Sequence, residues 1–393
     1  MKVIYDTSTL GVLYKTGIPT YVLELATALL KRQVSLIPSV HERLYPSVEM
    51  PSLLDSARKR FESEVSPGTH YSVGVVNRIK SEVSKIKIIR QYIKDNRIRK
   101  SKLLIDQEKP RLQHVLAHAI SFSLFDLPLV YTLHDMSVFA HPEAHAELNI
   151  RVFKTAMEFL ANWMAKGRSL KIITDSSSTR YEVRKFLGED FYNHSETVML
   201  ACDRATFKPA DSESQSAEKF ILSVGTLEPR KNFTRLLEAF SVIARKQTDL
   251  NLYLVGAPGW KNENFRQIIS SHPYSHRIRL MGYVGTGNLV KLYQEAEVFC
   301  YPSLYEGFGL PVLEAMSCGC PVVVSNSTSL PEVGGEAALC FDPHSTEKLV
   351  EAIEKAISNK RVLSDRSLQQ AARFSWDKTA ESTEKIYRSV SGF

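Results

Sequence analysis

Short, continuous apolar runs recur along this chain, alternating with longer stretches in which apolar residues return every three or four positions. Runs at 3–6, 34–38, 113–117, 129–133 and 170–174 are too short for helices and read as buried strands. Between several of them lie helical patterns, notably 19–30, 148–165 and 177–186. The second half is more regular. Strands are predicted at 220–224, 252–255, 278–281, 298–301 and 321–324, separated by helices of ordinary length. Strand, helix, strand in this rhythm predicts parallel sheets with right-handed crossovers, an α/β architecture. The polar stretch 208–218 reads as an interdomain linker. The expected division is therefore an N-terminal Rossmann-like domain over 1–205, a C-terminal one over 206–375, and a last helix over 376–393.

Length agrees, because 393 residues exceed one ordinary core and suit two domains. The first residues read as a strand, which predicts no secretory leader. No segment approaches the ~20 apolar residues of a membrane span. A cytoplasmic protein, or one peripheral on the inner face of the cell membrane, is expected. The five cysteines lack zinc-site spacing and are expected to be reduced thiols, and no metal site is expected anywhere.

Charge changes the picture in one place. Residues 78–111 hold twelve basic and four acidic side chains, a local +8 against +7 for the whole chain. Within this segment Ile79, Val83, Ile86, Ile89 and Ile93 mark one face of a helix. Such a helix suits an anionic membrane surface; an ordinary surface helix docked on its own domain fits equally. No recognition module accompanies the charge, so nucleic acid is not an expected partner.

The candidate chemistry is densest in Ser303-Leu-Tyr-Glu306-Gly307-Phe308-Gly309-Leu310-Pro311-Val-Leu-Glu314. Two carboxylates stand eight residues apart across a glycine loop and the first turn of a helix. Pro311 suits the opening of that helix, and the N–H groups of Gly309 and Leu310 with the helix dipole favour an anion. A nucleotide-sugar calls for this combination: N–H donors for its diphosphate, charged acceptors for its hydroxyls. A second run, Ser223-Val-Gly225-Thr-Leu-Glu-Pro-Arg230-Lys231-Asn232, lies between a strand and a helix. Gly225 permits close backbone approach, while Arg230 and Lys231 offer adjacent positive charge.

The pair of glutamates around Gly-Phe-Gly-Leu-Pro, together with the Gly225…Arg230-Lys231-Asn232 run, resembles glycosyltransferase family 4. Those are retaining enzymes of the GT-B fold, with two Rossmann-like domains whose parallel sheets face each other across a cleft. The resemblance spans nearly the whole chain and is densest over 220–343. It implies that Arg230 and Lys231 take the donor diphosphate, that Glu306 holds the transferred sugar and stabilises positive charge, and that Glu314 grips the ribose. Gly307, Phe308, Gly309 and Leu310 would complete the donor site, with Gly282 and Tyr283 receiving the nucleobase. In the first half, Lys15-Thr16-Gly17-Ile18-Pro19-Thr20-Tyr21 stands where the family carries a richer glycine loop. Gly17 would touch donor phosphate there. His134, with Asp135 expected to orient its imidazole, resembles a pair seen in bacterial mannosyltransferases of polysaccharide synthesis, near the transferred sugar. Thr174-Asp-Ser-Ser-Ser-Thr179 resembles a helix-capping turn of the family.

The resemblance implies transfer of a sugar, mannose from GDP-mannose foremost, to a hydroxyl of a glycan or lipid-linked acceptor, without cofactor or metal. UDP-sugar and deoxysugar donors, and an epimerase on the same fold, remain alternatives.

Overall fold

The computed structural model describes residues 1–11, 17–40, 43–62, 100–116, 125–211, 218–257, 259 and 264–392. The basic segment falls mostly outside them; of its residues, 100–108 are helical.

Among the described residues, thirteen strands form two sheets. The first sheet has the order β3-β2-β1-β4-β5-β6-β7. Its members are β1 (Lys2–Asp6), β2 (Ser35–Val40), β3 (Arg43–Leu44), β4 (Leu112–Val115), β5 (Leu129–Leu133), β6 (Leu170–Thr174) and β7 (Ser195–Thr197). The second sheet has the order β10-β9-β8-β11-β12-β13. It comprises β8 (Lys219–Val224), β9 (Leu250–Val255), β10 (Ile278–Gly282), β11 (Val298–Tyr301), β12 (Val322–Ser325) and β13 (Leu339–Phe341). β1 pairs in parallel with β2 and β4, and β8 pairs in parallel with β9 and β11; the two-residue β3 is antiparallel to β2. β5 and β12 are buried at every position, as parallel strands covered on both faces are, and they read as unbroken apolar runs.

All ten expected strands form, with ends shifted by at most two residues. The unexpected ones, β3, β7 and β13, have two or three residues each and stand at sheet edges. A pattern needs more residues than that to show a period.

Two compact units emerge. One comprises Met1–Leu133, Val152–Ile173 and Ala380–Phe393; the other, His134–Arg151 and Thr174–Thr379. This differs from a division drawn at 205 and 375. The residues immediately after β5 and β6 belong with the second unit, and the end of the last helix belongs with the first.

In the first unit the end of that helix, which spans Trp376–Ser391, is held by chemistry as well as packing. Glu384 pairs with Arg32 at 2.8 Å, and the Tyr387 hydroxyl meets His114 Nδ1 at 2.6 Å. His114 Nε2 lies 2.8 Å from Thr132 Oγ1, which Tyr21 Oη also meets at 3.1 Å. Tyr21, His114, Thr132 and Tyr387 are buried, so each hydrogen bond among them spares a desolvation cost of about 1–3 kcal/mol. Tyr21, expected beside the donor loop, is thus a core residue. Gly17 is exposed at the start of helix Gly17–Lys31, whereas Lys15 and Thr16 lie outside the described residues.

In the second unit, helix Phe233–Lys246 buries Phe233, Leu236, Leu237, Phe240, Ile243 and Ala244, a single apolar stripe. The stripe packs into a core shared with Ile221, Leu252, Leu254, Val298 and Val323. Fully burying each large side chain of this kind contributes about 1.5–3 kcal/mol.

Candidate active site

In the second sheet, sequence order runs outward from β8 to β9 and β10, then returns to the other side of β8 at β11. At such a switch point the loops after the two central strands diverge and leave a crevice beyond their carboxyl ends. The two motif-bearing loops are those two: 225–232 follows β8, and 302–309 follows β11.

The loop after β8 is packed tightly against its neighbour. Gly225 N–H donates to Val255 O at 2.8 Å, and Gly256 N–H to Gly282 O at 2.8 Å. A Cβ on Gly256 would lie 1.8 Å from Gly225 O, so no other residue fits there. A Cβ on Gly225 would meet the Lys231 stem at 3.3 Å, which means that part of what this glycine supplies is room for the lysine. The chain then makes a short turn, Pro229–Lys231, ended by Asn232 in the left-handed region at φ 55°. The Asn232 amide donates to Pro302 O at 3.1 Å and Pro343 O at 2.9 Å, tying the loop across the sheet end.

This turn delivers two cations to Glu306. Lys231 Nζ donates to Glu306 Oε1 at 2.6 Å and to Tyr301 Oη at 2.7 Å. Arg230 Nη1 lies 3.1 Å from Glu306 Oε2, and its Nη2 lies 2.6 Å from Glu228 Oε1. Two cations and two carboxylates therefore balance within one buried cluster. Burial works against the Glu306 charge, but Lys231 and Arg230 together prevail and hold its carboxyl below the ordinary carboxylate value. Burial, helped by the neighbouring Arg230 guanidinium, pulls the Lys231 ammonium down, and the Glu306 carboxylate opposes the fall without reversing it. Arg230 is desolvated too, yet Glu306 and Glu228 keep it firmly charged. Sequence reasoning passed over Glu228, although it stands in the same motif.

Several side chains hold the loop that carries Glu306. Its N–H donates to Thr328 Oγ1 at 3.0 Å, and Thr328 sits at φ 47°. That backbone is unusual for a β-branched residue and costs on the order of 1–3 kcal/mol. Ser329 Oγ donates to Glu306 O at 3.0 Å and Phe308 O at 2.8 Å. Ser176 and Thr179 donate to Gly307 O at 2.7 and 3.2 Å. Gly309, at φ 107°, turns the chain into helix Leu310–Ser317, with Pro311 in its first turn as expected. The side chains of Phe308 and Leu310 are buried, Phe308 edge-on to Phe374. Both side chains serve packing. Glu314, one turn into the helix, accepts from Tyr293 Oη at 3.1 Å.

His134, immediately after β5, pairs through Nδ1 with Asp175 Oδ2 at 2.7 Å. This corrects the expectation that Asp135 orients the imidazole. Asp135 Oδ1 instead accepts from Ser137 N–H at 2.9 Å and Ser137 Oγ at 2.6 Å, an aspartate turn opening helix Ser137–Ala140. The expected cap of the next helix does form: Ser176 Oγ accepts from Thr179 N–H at 3.0 Å. Tyr305 adds another brace, its hydroxyl bonded to Glu182 and receiving Met136 N–H at 2.9 Å. Glu306, Arg230, Lys231, Gly225, Gly307 and His134 thus share one unit. Gly282, at φ 69°, and Tyr283 stand at the end of edge strand β10, and Gly17 belongs to the other unit.

Comparison with known proteins bears on the family and the fold. The family model described as Glycosyl transferases group 1 matches residues 205–374. O-antigen chain mannosyltransferase B of Escherichia coli is 35% identical over 271 residues, covering 66% of this chain and 70% of that protein. The serotype-specific mannosyltransferase WbdA of Escherichia coli is 37% identical over 169 residues; the match covers 42% of this chain and only 21% of that longer protein. Among solved structures, a sucrose-phosphate synthase from Thermosynechococcus elongatus superposes with TM-score 0.70 at 18% identity, over 99% of this chain and 98% of that one. That likeness concerns the fold, and the fold is GT-B. By its family match and its extended similarity to a mannosyltransferase, the chain belongs to the group 1 glycosyl transferases and is a hexosyltransferase.

Proposed function

We propose that this enzyme moves mannose from GDP-mannose, with retention of configuration, to a hydroxyl of a glycan or glycolipid in cell-surface polysaccharide synthesis. The observation that carries the sugar is the 35% identity with an O-antigen mannosyltransferase across most of both chains. The charge cluster at the switch point supports the chemistry. In the transfer, the bond from the anomeric carbon to the diphosphate oxygen breaks, and its electron pair stays with the diphosphate. The acceptor oxygen bonds the same face of that carbon, and its proton passes to the departing phosphate oxygen. Arg230 and Lys231 would meet the growing negative charge, a role that fixed cations perform well in a desolvated site. The Arg230 side chain keeps 19% exposure against 8% for Lys231, so Arg230 would touch phosphate and Lys231 would act mainly through its field. Glu306 would face the sugar and Glu314 the ribose, with Gly17, Gly282 and Tyr283 completing donor contacts.

With two cations assigned to the leaving group, no metal enters the proposal. The test is a panel of nucleotide-sugars, each assayed for transfer with and without chelator. GDP-mannose should be used in preference to UDP-sugars and deoxysugar nucleotides, and chelator should leave the rate unchanged. Transfer only from another donor overturns the sugar assignment. Rescue of a chelated enzyme by manganese overturns the metal-free leaving-group role, and an epimerised donor without acceptor would make the enzyme an epimerase.

The proposal includes attachment to an anionic membrane surface through residues 78–111, which rests on their net charge of +8. Among the described residues no helix is long and apolar enough to cross a membrane. Each basic residue near such a surface contributes about 1 kcal/mol. The protein should therefore sediment with anionic vesicles at low salt and be released by high salt. Equal indifference to anionic and neutral vesicles at low salt would refute the attachment.

A further inference from the structure

β5 and β6 are neighbours in the first sheet, so the residues that leave their carboxyl ends come together although 41 positions separate them. His134 and Asp175 are those residues, both buried, bonded Nδ1 to Oδ2 at 2.7 Å. Among the described residues, the other Asp175 oxygen, Oδ1, is buried with no hydrogen-bond partner. Nearly all that this carboxylate gains in exchange for its hydration thus comes from the imidazole. The pair is also mounted on the catalytic loop. A Cβ on Gly307 would lie 2.1 Å from His134 O, so the backbone of the histidine and the residue next to Glu306 are in contact. A carboxylate placed only to join two strand ends would have no reason to be left half-satisfied.

We infer that Asp175 is a positioning residue for the transfer reaction: it holds the proton of His134 on Nδ1, so that Nε2 accepts a hydrogen bond from a hydroxyl of the bound sugar. This rests on the reading that His134 meets the donor sugar. A carboxylate at one ring nitrogen selects the tautomer that presents a lone pair at the other. No bond to hydrogen breaks in this role; the imidazole orients the hydroxyl and the proton stays where it is. The groups that act on Asp175 are His134 and Asp135, and Asp135 is in turn felt by Arg230, Glu182 and His145. Burial raises the Asp175 carboxyl above its ordinary value, with the imidazole opposing the rise. A carboxylate 2.7 Å from one ring nitrogen favours a ring that carries positive charge. As pH falls, a second proton on the ring converts the Nε2 acceptor into a donor, and transfer should fail.

The test combines a mutant cycle with a spectrum. Asp175→Asn should lower kcat about tenfold to a hundredfold, in the range seen when the partner of a functional histidine is removed. It should also move the acidic limb of the pH–rate profile to lower pH, since a protonated imidazole would no longer have a carboxylate beside it. In a His134→Ala background the same substitution should change nothing further. Additive losses, or an unmoved acidic limb, overturn the role of Asp175. Wild-type turnover by His134→Ala overturns instead the reading on which it rests. Should Asp175→Asn fail to fold, the 15N shifts of the wild-type His134 imidazole decide: a proton on Nδ1 supports the inference, and one on Nε2 alone refutes it.

Discussion

Glu306→Gln is expected to lower turnover at least about a hundredfold while leaving donor affinity unchanged or tighter. The fall corresponds to about 2.7 kcal/mol of lost transition-state stabilisation, typical of removing one electrostatic group from a preorganised site. The affinity prediction follows from the cluster itself. Glu306 and Glu228 balance Arg230 and Lys231, so neutralising one carboxylate leaves a net positive charge facing an incoming diphosphate. An effect confined to kcat marks an interaction made in the transition state, whereas a raised KM would mark one made with bound donor. The glutamine also tests stability. Because the folded Glu306 carboxyl sits below its ordinary value, its stabilising contribution is complete above the unfolded pKa and disappears as pH falls through the lowered one. The variant should therefore lose stability near neutral pH and less on further acidification. Glutamine is chosen over alanine because it keeps the volume and an acceptor; stripping one partner from a buried ion pair costs about 3–5 kcal/mol. A folded Glu306→Gln enzyme that transfers sugar at the wild-type rate would remove Glu306 from the mechanism.

The second large effect comes from a methyl group. In Gly307→Ala the added Cβ would stand 2.1 Å from the backbone oxygen of His134 and 2.9 Å from Asp135 Cβ. Neither neighbour is a flexible side-chain end, so relief requires moving the loop or the strand end. Overpacking of this kind costs about 1–3 kcal/mol, and more where backbone blocks the way. Any shift also carries Glu306 away from its cations and His134 away from the loop. We expect a fall in Tm of several degrees and a loss of turnover exceeding about a hundredfold, since misplacement by about 1 Å alone can cost that much. Gly287→Ala is the control. Open space surrounds its Cβ position, in the first turn of helix Thr286–Glu295, and it should raise Tm slightly or leave it unchanged. If Gly307→Ala matches that control in both measurements, the close contact between loop and strand end does not exist in solution.

The local chemistry of the Glu306 loop was readable from the chain because its geometry is local. A left-handed glycine at 309 and a proline in the following first turn need only their own neighbours to specify a loop-to-helix junction. The same holds for the ten longer strands, whose unbroken apolar runs make sense only inside a sheet covered on both faces. Arg230 and Lys231 were likewise visible, as adjacent charges opening a helix.

What these residues face was decided in three dimensions. The chain separates Lys231 from Glu306 by 75 positions, and only the pairing of β8 with β11 turns two motifs into one charge cluster. His134 shows the limit most clearly. Asp135 is its neighbour in sequence, but successive residues leaving a strand point to opposite sides, and Asp135 accepts from Ser137, two residues ahead. The imidazole meets Asp175 because parallel neighbours bring their carboxyl ends side by side. No period or spacing in the sequence encodes that adjacency; strand order does.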